Sequence, residues 1–332
     1  MVAKSEFTSI PRVTLNRVPS TARRLLLGIP AREAEFARRG FHCATSHTRC
    51  HLEESGRVFL HGYNSVVAAG STTRLLDDLQ NVSSEMRGFA FEGAAMALAL
   101  FDLLTPWSRD RVANFLSGEG ARHSYMIHVG MGWAFARLRR SVFPRIQRYD
   151  PVLRWLVIDG FGFHDGYFHW PKSVERKRVP RWCKGTARKV YDQGLGRSLW
   201  FIYGAEVEHI RAAIAGFPQP RRGDLWSGIG LAACYAGGVD AASLTSLRAA
   251  AGHCLPHVAQ GAAFAAKARE RAGTPARHSD LACRILCGLP ASEAAAITDD
   301  ALVDLPLNGE EEAFEIWRRR IRDTLVQSAA LP

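Results

Sequence analysis

Apolar residues recur with a helical period wherever the pattern along the chain is clear. Between residues 72 and 86, five apolar positions fall on one face of a helix: Leu75, Leu76, Leu79, Val82 and Met86. A second stripe lies near the C-terminus: Phe314, Trp317, Ile321 and Leu325. Asn308 stands before an acidic turn, as an N-cap does, and predicts a C-terminal helix over 308–328.

The N-terminal third contains shorter elements. Residues 1–20 look loose, and a short helix is predicted over 30–39, with Pro30 in its first turn and Gly40 as its stop. Residues 57–60 read as the one candidate strand. The sequence thus predicts a mainly α protein with little sheet.

The middle of the chain repeats itself. Residues 88–93 (GFAFEG) resemble residues 160–165 (GFGFHD), and residues 120–130 resemble residues 194–204. A weaker third copy begins near residue 226 and extends to Gly261. We expect one helical domain over 21–332 with related units at about 84–140, 157–216 and 224–272. Regular glycine and alanine would let the helix backbones approach closely.

The glycines of residues 125–136 allow a second interpretation. Gly130 and Gly132, followed by Ala136, resemble the strand, glycine-rich turn and helix of a dinucleotide fingerprint. The second copy keeps one of these glycines, Gly204, and strands do not alternate with helices. Helix packing is therefore the favoured interpretation. No nucleotide or flavin motif remains, so the cofactor is unknown.

Charge is concentrated in one segment. The 332 residues include 43 Lys and Arg against 32 Asp and Glu, a formal charge of +11. Residues 172–189 hold eight basic residues and one acid. Such a segment attracts phosphates, an anionic membrane or an acidic partner, or is simply a solvated loop. No nucleic-acid-binding motif accompanies it, so no nucleic-acid partner is predicted.

The sequence contains only partial matches to a membrane span, an export signal and a zinc site. The apolar stretch 93–104 is shorter than the roughly 20 residues of a bilayer span. Arg23 and Arg24 resemble an export signal, but charged residues follow too soon, so we predict a cytoplasmic protein, with membrane association only through a partner. Five zinc-ligand types cluster without a distant second pair: His42, Cys43, His47, Cys50 and His51.

Several stretches resemble one bacterial family. They are residues 23–30, 51–59, 87–94, 159–164, 192–198 and 224–228. Over about residues 20–275 the chain resembles the UnbL-type enediyne biosynthesis proteins, an uncharacterised-domain family. The resemblance implies work on the linear polyene made by an enediyne polyketide synthase. The favoured hypothesis is an enzyme that converts the polyene by desaturation, alkyne formation or a preparatory functionalisation. The resemblance also implies a UnbV-type protein and a UnbU-type membrane protein as partners, and it transfers no catalytic residues.

A non-catalytic role is the alternative. The chain would then bind the polyene as a carrier or scaffold and dock through residues 172–189 onto the membrane partner.

The repeat itself nominates a catalytic site. Glu92 and His164 occupy equivalent slots in the two aligned blocks, so we expect them to meet with Asp165 in one cavity. His123, His128 and Arg197 are expected close by. A histidine beside carboxylates suits general acid–base catalysis. The alternatives are a metal bound by His164, Asp165, Glu92 and His128, and separate structural roles for each residue.

Aromatic residues nominate a binding slot for the polyene. They are Tyr167, Trp170, Trp200 and Tyr203. A plain hydrophobic core is the alternative interpretation.

Overall fold

Helices form all the regular structure of the part of the chain described by the computed structural model: residues 19–42, 45–69, 78–105, 107, 110–307, 309 and 311–330. In those ranges the α-helices are α1 (Ser20–Leu27), α2 (Phe36–Arg39), α3 (Ser46–Ala69), α4 (Ser84–Leu104), α5 (Arg111–Ser117), α6 (Ser124–Arg137), α7 (Phe143–Ile146), α8 (Leu156–Trp170), α9 (Thr186–Ile202), α10 (Val207–Ala215), α11 (Gln219–Tyr235), α12 (Ala241–Ala251), α13 (Leu255–Ala272), α14 (Arg277–Leu286), α15 (Ala291–Asp300) and α16 (Ala313–Ala330). The predicted mainly α fold class is confirmed.

Shorter helical turns lie between these helices. The 3-10 turns are Ala31–Ala34, Ala121–His123, Leu153–Trp155 and Gly252–Cys254, and a π-helical turn, Pro171–Glu175, follows α8. In the described ranges no single helix is long and apolar enough to cross a bilayer. Among the described helices, the one pair that together reaches the required length and composition is α14 and α15, across a bend of 69°.

A row of helices packs side by side in chain order: α3, α4, α6, α8, α9, α11 and α13. Glycines set their separation. A Cβ atom on Gly194 would lie 1.8 Å from the carbonyl oxygen of Asp159, and one on Gly162 would lie 2.1 Å from that of Tyr191. Helices α8 and α9 therefore touch backbone to backbone, which only glycine permits.

The same glycine-against-carbonyl contact is repeated along the row. Its other members are Gly62 and Gly93 between α3 and α4, Gly130 between α4 and α6, Gly132 and Gly160 between α6 and α8, Gly196 and Gly228 between α9 and α11, and Gly230 and Gly261 between α11 and α13. In the helices with a G-x-G pair, the first glycine meets the preceding helix and the second meets the following one. The pair is thus the packing signature of this fold.

Two interpretations of the sequence are decided by these contacts. Gly130 and Gly132 lie inside α6, so the helix-packing interpretation is confirmed and the dinucleotide fingerprint is wrong, because no strand precedes the glycines. The first glycine of α8 is Gly160, and the corresponding glycine of α4 is Gly93. Glu92 is therefore in register with Asp159, and the alignment of residues 88–93 with 160–165 is displaced from the packing register.

The end of the helix row returns to its start. The Thr48 hydroxyl of α3 donates to the carbonyl of Gly238, which follows α11, at 2.9 Å. Arg269 of α13 donates to the carbonyl of Glu85 at the start of α4, at 3.2 Å. We call this junction of α3 and α4 with α11 and α13 the seam.

Polar residues stand immediately before the first glycine in several helices of the row. Asp159, Gln193, Ser227 and Gln260 occupy this position, and all four are buried. The Gln193 amide donates to Asp159 at 2.8 Å, and the Ser227 hydroxyl lies 3.0 Å from the amide oxygens of Gln193 and Gln260. Because buried polar groups need partners, this ladder also fixes the register between helices.

The predicted strand at residues 57–60 is wrong, because these residues lie within α3. The helical period there is set by Leu52, Phe59, Tyr63 and Val66, which are buried together.

The helix predicted from 72 to 86 is interrupted. Residues 70–77 lie outside the described ranges, and a turn separates residue 80 from α4. Ser83 is extended there, and the Arg87 side chain donates to the carbonyls of Gln80 and Val82, which removes them from a continuous helix.

The other predicted ends hold in part. The stop at Gly40 is confirmed, since Gly40 takes φ 68° after α2, although the predicted helix over 30–39 divides into a 3-10 turn and α2. The stripe of α16 is buried as predicted, but the helix begins at Ala313. Asn308 and most of the loose segment 1–20 lie outside the described residues, and Ser20 already begins α1.

Candidate functional site

An aromatic cavity lies where α3, α4, α6, α8 and α9 meet. Its volume is about 30 Å³, enough for one or two water molecules. Aromatic rings form most of its wall: Phe59, Phe89, Trp133, Phe163, Tyr167, Phe168 and Phe201. Trp133 is the central ring, with centroids 4.6 Å from Phe59 and 4.9 Å from Phe163. The wall is apolar and rich in π surface.

Glu92 is the deeply buried acid of this wall. Its side chain is 1% exposed, and Oε1 accepts a hydrogen bond from the Trp133 indole at 2.9 Å. Oε2 is buried and has no hydrogen-bond partner among the described residues. Burial raises the pKa of Glu92 to about 7, against the attraction of Arg197. A carboxyl with this pKa gives up or takes a proton near neutral pH.

The charged side chains that act on the pKa of Glu92 are Arg197 and Asp159, which form a buried ion pair. Arg197 donates to Asp159 at 2.6 Å, and its guanidinium lies 4.5 Å from the centroid of Phe163, a ring of the cavity wall. Arg197 lowers the pKa of Glu92, whereas Asp159 raises it. Because Asp159 already neutralises Arg197, the cation offsets only part of the burial cost at Glu92.

Replacing Glu92 with glutamine should therefore stabilise the fold in a pH-dependent way. The folded state holds the Glu92 proton more tightly than the unfolded state, so stability is lost as pH rises from about 4.5 to about 7. Relative to wild type, Glu92→Gln should raise the free energy of unfolding by up to about 3 kcal/mol at pH 8, and by nearly nothing at about pH 4.5. Urea denaturation of both proteins at the two pH values measures this. An equal difference at both would contradict the raised pKa.

His164 contacts Trp133 but does not line the cavity. Its ring centroid lies 5.6 Å from that of Trp133, edge to face, and 4.9 Å from Phe168. Burial lowers its pKa, so the imidazole is neutral at pH 7. Glu92 and His164 thus share Trp133 as a neighbour.

Asp165 turns away from that cavity. Its Oδ2 accepts from the Tyr191 hydroxyl at 3.1 Å, and its Oδ1 is 3.8 Å from the His164 ring, too far for a hydrogen bond. Asp165 lines a different cleft, formed with the segment after α8.

His123 and His128 have other neighbours. His123 stacks on Phe91 at 3.8 Å, and burial lowers its pKa to about 4. His128 donates from Nδ1 to the carbonyl of Ser124 in its own helix, and its ring meets Tyr149 edge to face. Neither residue lines the aromatic cavity. Their catalytic role stays a prediction without a geometric link to Glu92.

Of the four aromatic residues predicted to bind substrate, one lines the aromatic cavity and three have other contacts. Tyr167 lines the cavity. The Trp170 indole donates to the carbonyl of Arg39, the last residue of α2, and the Trp200 indole donates to the carbonyl of Gly237 from a fully buried position. Tyr203 stacks on His42.

A metal site requires its candidate ligands to meet at one position. Within the described ranges, no three His, Cys, Asp or Glu side chains gather as a group that could hold a metal ion. Glu92, His128, His164 and Asp165 accordingly do not form one ligand group. Cys43 of the predicted zinc cluster lies outside the described residues, and Cys50 is exposed.

Two residues of the site escaped sequence reasoning. Trp133 holds the Glu92 carboxyl, and Asp159 holds Arg197. Asp159 could have been found, because it precedes Gly160 as Gln193 precedes Gly194 and Glu92 precedes Gly93. Comparing residues relative to the glycine pairs would have aligned Glu92 with Asp159.

Comparison with known proteins places the chain in a family. A family model described as "Protein of unknown function (DUF1702)" matches residues 18–325, from the start of α1 to within α16. No curated protein and no solved structure matches the chain. The match covers the whole helix row and the aromatic cavity. The chain belongs to this family of unknown function, DUF1702.

Proposed function

We propose that this protein is an enzyme that binds a linear polyene in its aromatic cavity and acts on it during formation of an enediyne core. The resemblance to UnbL-type proteins supports the pathway. The cavity supports the class of ligand, since stacked aromatic walls bind extended conjugated chains through apolar and π contacts.

One observation carries the proposal. The aromatic wall contains a buried carboxyl group, Glu92, with one oxygen bonded to Trp133 and the other without a partner among the described residues. Leaving such a group unsatisfied is costly, about 1–3 kcal/mol. A buried polar group without a partner calls for an explanation, and a catalytic role is one. In this role, Oε2 of Glu92 would hold the proton that is exchanged with an apolar ligand.

The cavity must widen to admit a polyene. Its cover is the 3-10 turn Ala31–Ala34, from which Glu33 and Ala34 reach the wall. Polar contacts flank this cover on both sides. Before it, the Asn64 side chain of α3 bonds the Ile29 backbone at 3.1 and 2.8 Å, and after it the Phe36 amide donates to Glu53 of α3 at 2.9 Å and the Trp170 indole donates to Arg39 at 3.1 Å. A ligand that displaced this turn would pack against the aromatic rings that the turn now covers.

The chemistry of the chain's own residues is proton transfer. Glu92 takes a proton from, or gives one to, the bound chain at Oε2, while Trp133 fixes Oε1. Arg197 favours the carboxylate that forms when the proton leaves. Of the reactions implied by the resemblance, a preparatory functionalisation that proceeds by proton transfer fits these residues best.

Glu92→Gln tests the enzyme directly. The amide keeps the acceptor for the Trp133 indole but cannot exchange a proton, so binding of the fluorescent tetraene parinaric acid should be retained. Conversion of the polyene product of the synthase should fall by about 100-fold or more, because general acid–base catalysis contributes that much. Fluorescence titration and product analysis measure the two effects.

Glu85→Gln is the matched control. Glu85 lies in the first turn of the same helix, outside the cavity wall, and the substitution is chemically identical. It should leave both binding and conversion unchanged. Full conversion by Glu92→Gln would show that Glu92 is not catalytic. Failure of wild type to bind the tetraene would show that the aromatic cavity is not a polyene-binding site.

A polyene carrier is the second candidate. The observation that favours it is the wall itself, which is almost wholly apolar and needs no chemistry to hold a chain. Under this alternative, wild type and Glu92→Gln bind the tetraene equally, and neither converts the polyene in any combination with its partner proteins.

A further inference from the structure

A second cavity of about 310 Å³ lies on the other side of α8, and its rim is strongly basic. Four cationic side chains line it: Arg139, Lys172, Arg178 and Arg181. They come from two separate segments, the end of α6 and the chain that follows α8. All four residues are exposed to solvent, so a ligand can reach them. We call this cavity the basic cleft.

The four cations have no carboxylate partner among the described residues. Three other cations of residues 172–189 have partners: Arg188 lies 3.5 Å from Asp192, Lys189 lies 3.4 Å from Glu315, and Lys177 covers the ring of Phe217. Charge in this segment is therefore divided, with part of it paired and the part around the cleft left free. Asp165 is the acid of the cleft wall, and it already accepts from Tyr191.

The walls of the cleft are held in place without a ligand. The Trp182 ring packs edge to face on Phe161 at 5.2 Å and on Phe143 at 5.6 Å. The Arg178 amide donates to the carbonyl of Lys172 at 3.1 Å, which ties the two cationic residues together through the backbone. The backbone positions of the cationic residues in the cleft wall are thus held by ring packing and a backbone hydrogen bond.

Arg139 adds a conformational argument. It follows the C-terminus of α6 with φ 52°, a left-handed conformation in which glycine or asparagine is usual. An arginine there costs backbone energy that glycine would avoid. This cost is in keeping with a role for the Arg139 side chain in the cleft.

We propose that the basic cleft binds a phosphate group. Guanidinium groups match the oxygens of phosphate with paired hydrogen bonds, and a lysine adds a point charge. Four cations against one acid suit a dianion better than a single carboxylate. The concave shape favours a compact phosphate over an extended polyanion. This inference does not depend on the proposed function of the aromatic cavity.

The neighbouring histidine does not change this balance at neutral pH. His169 lines the cleft, and burial together with Arg139 and Lys172 lowers its pKa. The attraction for phosphate therefore comes from the permanently charged side chains and should persist above pH 7.

The test is binding of inorganic phosphate and pyrophosphate to the full chain at low ionic strength, measured by isothermal titration calorimetry. Wild type should bind, and Arg178→Ala with Arg181→Ala should weaken binding by about 10-fold or more. Arg139→Gly should weaken it also while preserving the helix end, because glycine favours the left-handed φ. Thermal unfolding of this variant should be no lower than that of wild type.

The control removes the same charge elsewhere. Arg211→Ala with Arg284→Ala deletes two exposed cations far from the cleft in sequence, each paired with a carboxylate on its own helix. Phosphate binding should change less than about 2-fold, since exposed charges are screened within a Debye length. An equal loss in this control, or no binding by wild type, would overturn the proposal.

An experiment with lipid vesicles distinguishes a lipid headgroup from a soluble phosphorylated ligand. Flotation with phosphatidylcholine vesicles containing phosphatidic acid shows whether a lipid headgroup occupies the cleft. Vesicle binding that inorganic phosphate competes away, and that the cleft variants lose, supports the proposal with a lipid source. Phosphate binding without vesicle binding supports it with a soluble phosphorylated ligand. The absence of both rejects it.

Discussion

Gly194→Ala should lower the free energy of unfolding by about 3 kcal/mol or more. The new Cβ atom would lie 1.8 Å from the carbonyl oxygen of Asp159, which is backbone and has no rotamer to adopt. Helices α8 and α9 must therefore separate, and the opposite contact of Gly162 with Tyr191 is lost with them. Urea denaturation followed by far-UV circular dichroism measures the loss.

Gly309→Ala provides the control for this experiment. Among the residues that the structure describes, its Cβ atom would have no neighbour closer than 3.7 Å, and its φ lies outside the left-handed region. Stability should stay within about 0.5 kcal/mol of wild type. If Gly194→Ala were equally mild, the helices would not be held at backbone contact.

Arg318→Met should cost about 3–5 kcal/mol, because it leaves the buried Asp224 carboxylate without its cation. Arg318 is fully buried and donates to Asp224 at 2.7 Å, to Glu315 at 3.1 Å and to Gln260 at 3.2 Å. Burial raises the pKa of Asp224 even with the arginine present. The deficit should therefore shrink in acid, where Asp224 takes up a proton.

The neighbouring arginine tests whether burial is the cause. Arg319 is exposed and pairs with Glu311 at 2.7 Å, so Arg319→Met should cost less than about 1 kcal/mol. Adding Asp224→Asn to Arg318→Met should recover part of the lost stability. If the two methionine variants unfolded alike, the buried network would contribute no more than a surface pair.

The helical class was predictable because glycine, alanine and apolar residues recur with a strong helical period. The packing role of Gly130 and Gly132 also followed from the sequence, since no strand pattern surrounded them. The short strand at residues 57–60 was wrong because four residues are too few to carry a period. The register of the repeat was wrong for a related reason: Gly-Phe-x-Phe similarity ignored which glycine meets which helix.

The candidate site was predictable only in part. Glu92 follows from its slot opposite His164 in the repeated apolar blocks, and it is buried, as a polar residue of such a block should be. Trp133 was missed because an aromatic residue in an apolar stretch looks like ordinary core. His123 and His128 were grouped with Glu92 by residue type, yet their partners depend on helix rotation, which no local pattern specifies.

The seam gives this protein a folding order and a cooperativity that a helix row alone would lack. Along the row, each helix packs on the next one in the chain, so contact order is low and loop closure is inexpensive. The seam bonds of Thr48 and Arg269 instead join residues 190 and 184 positions apart. We expect them to form last. An open array of this kind frays from its terminal units; joining its two ends removes the free terminus at which unfolding would start.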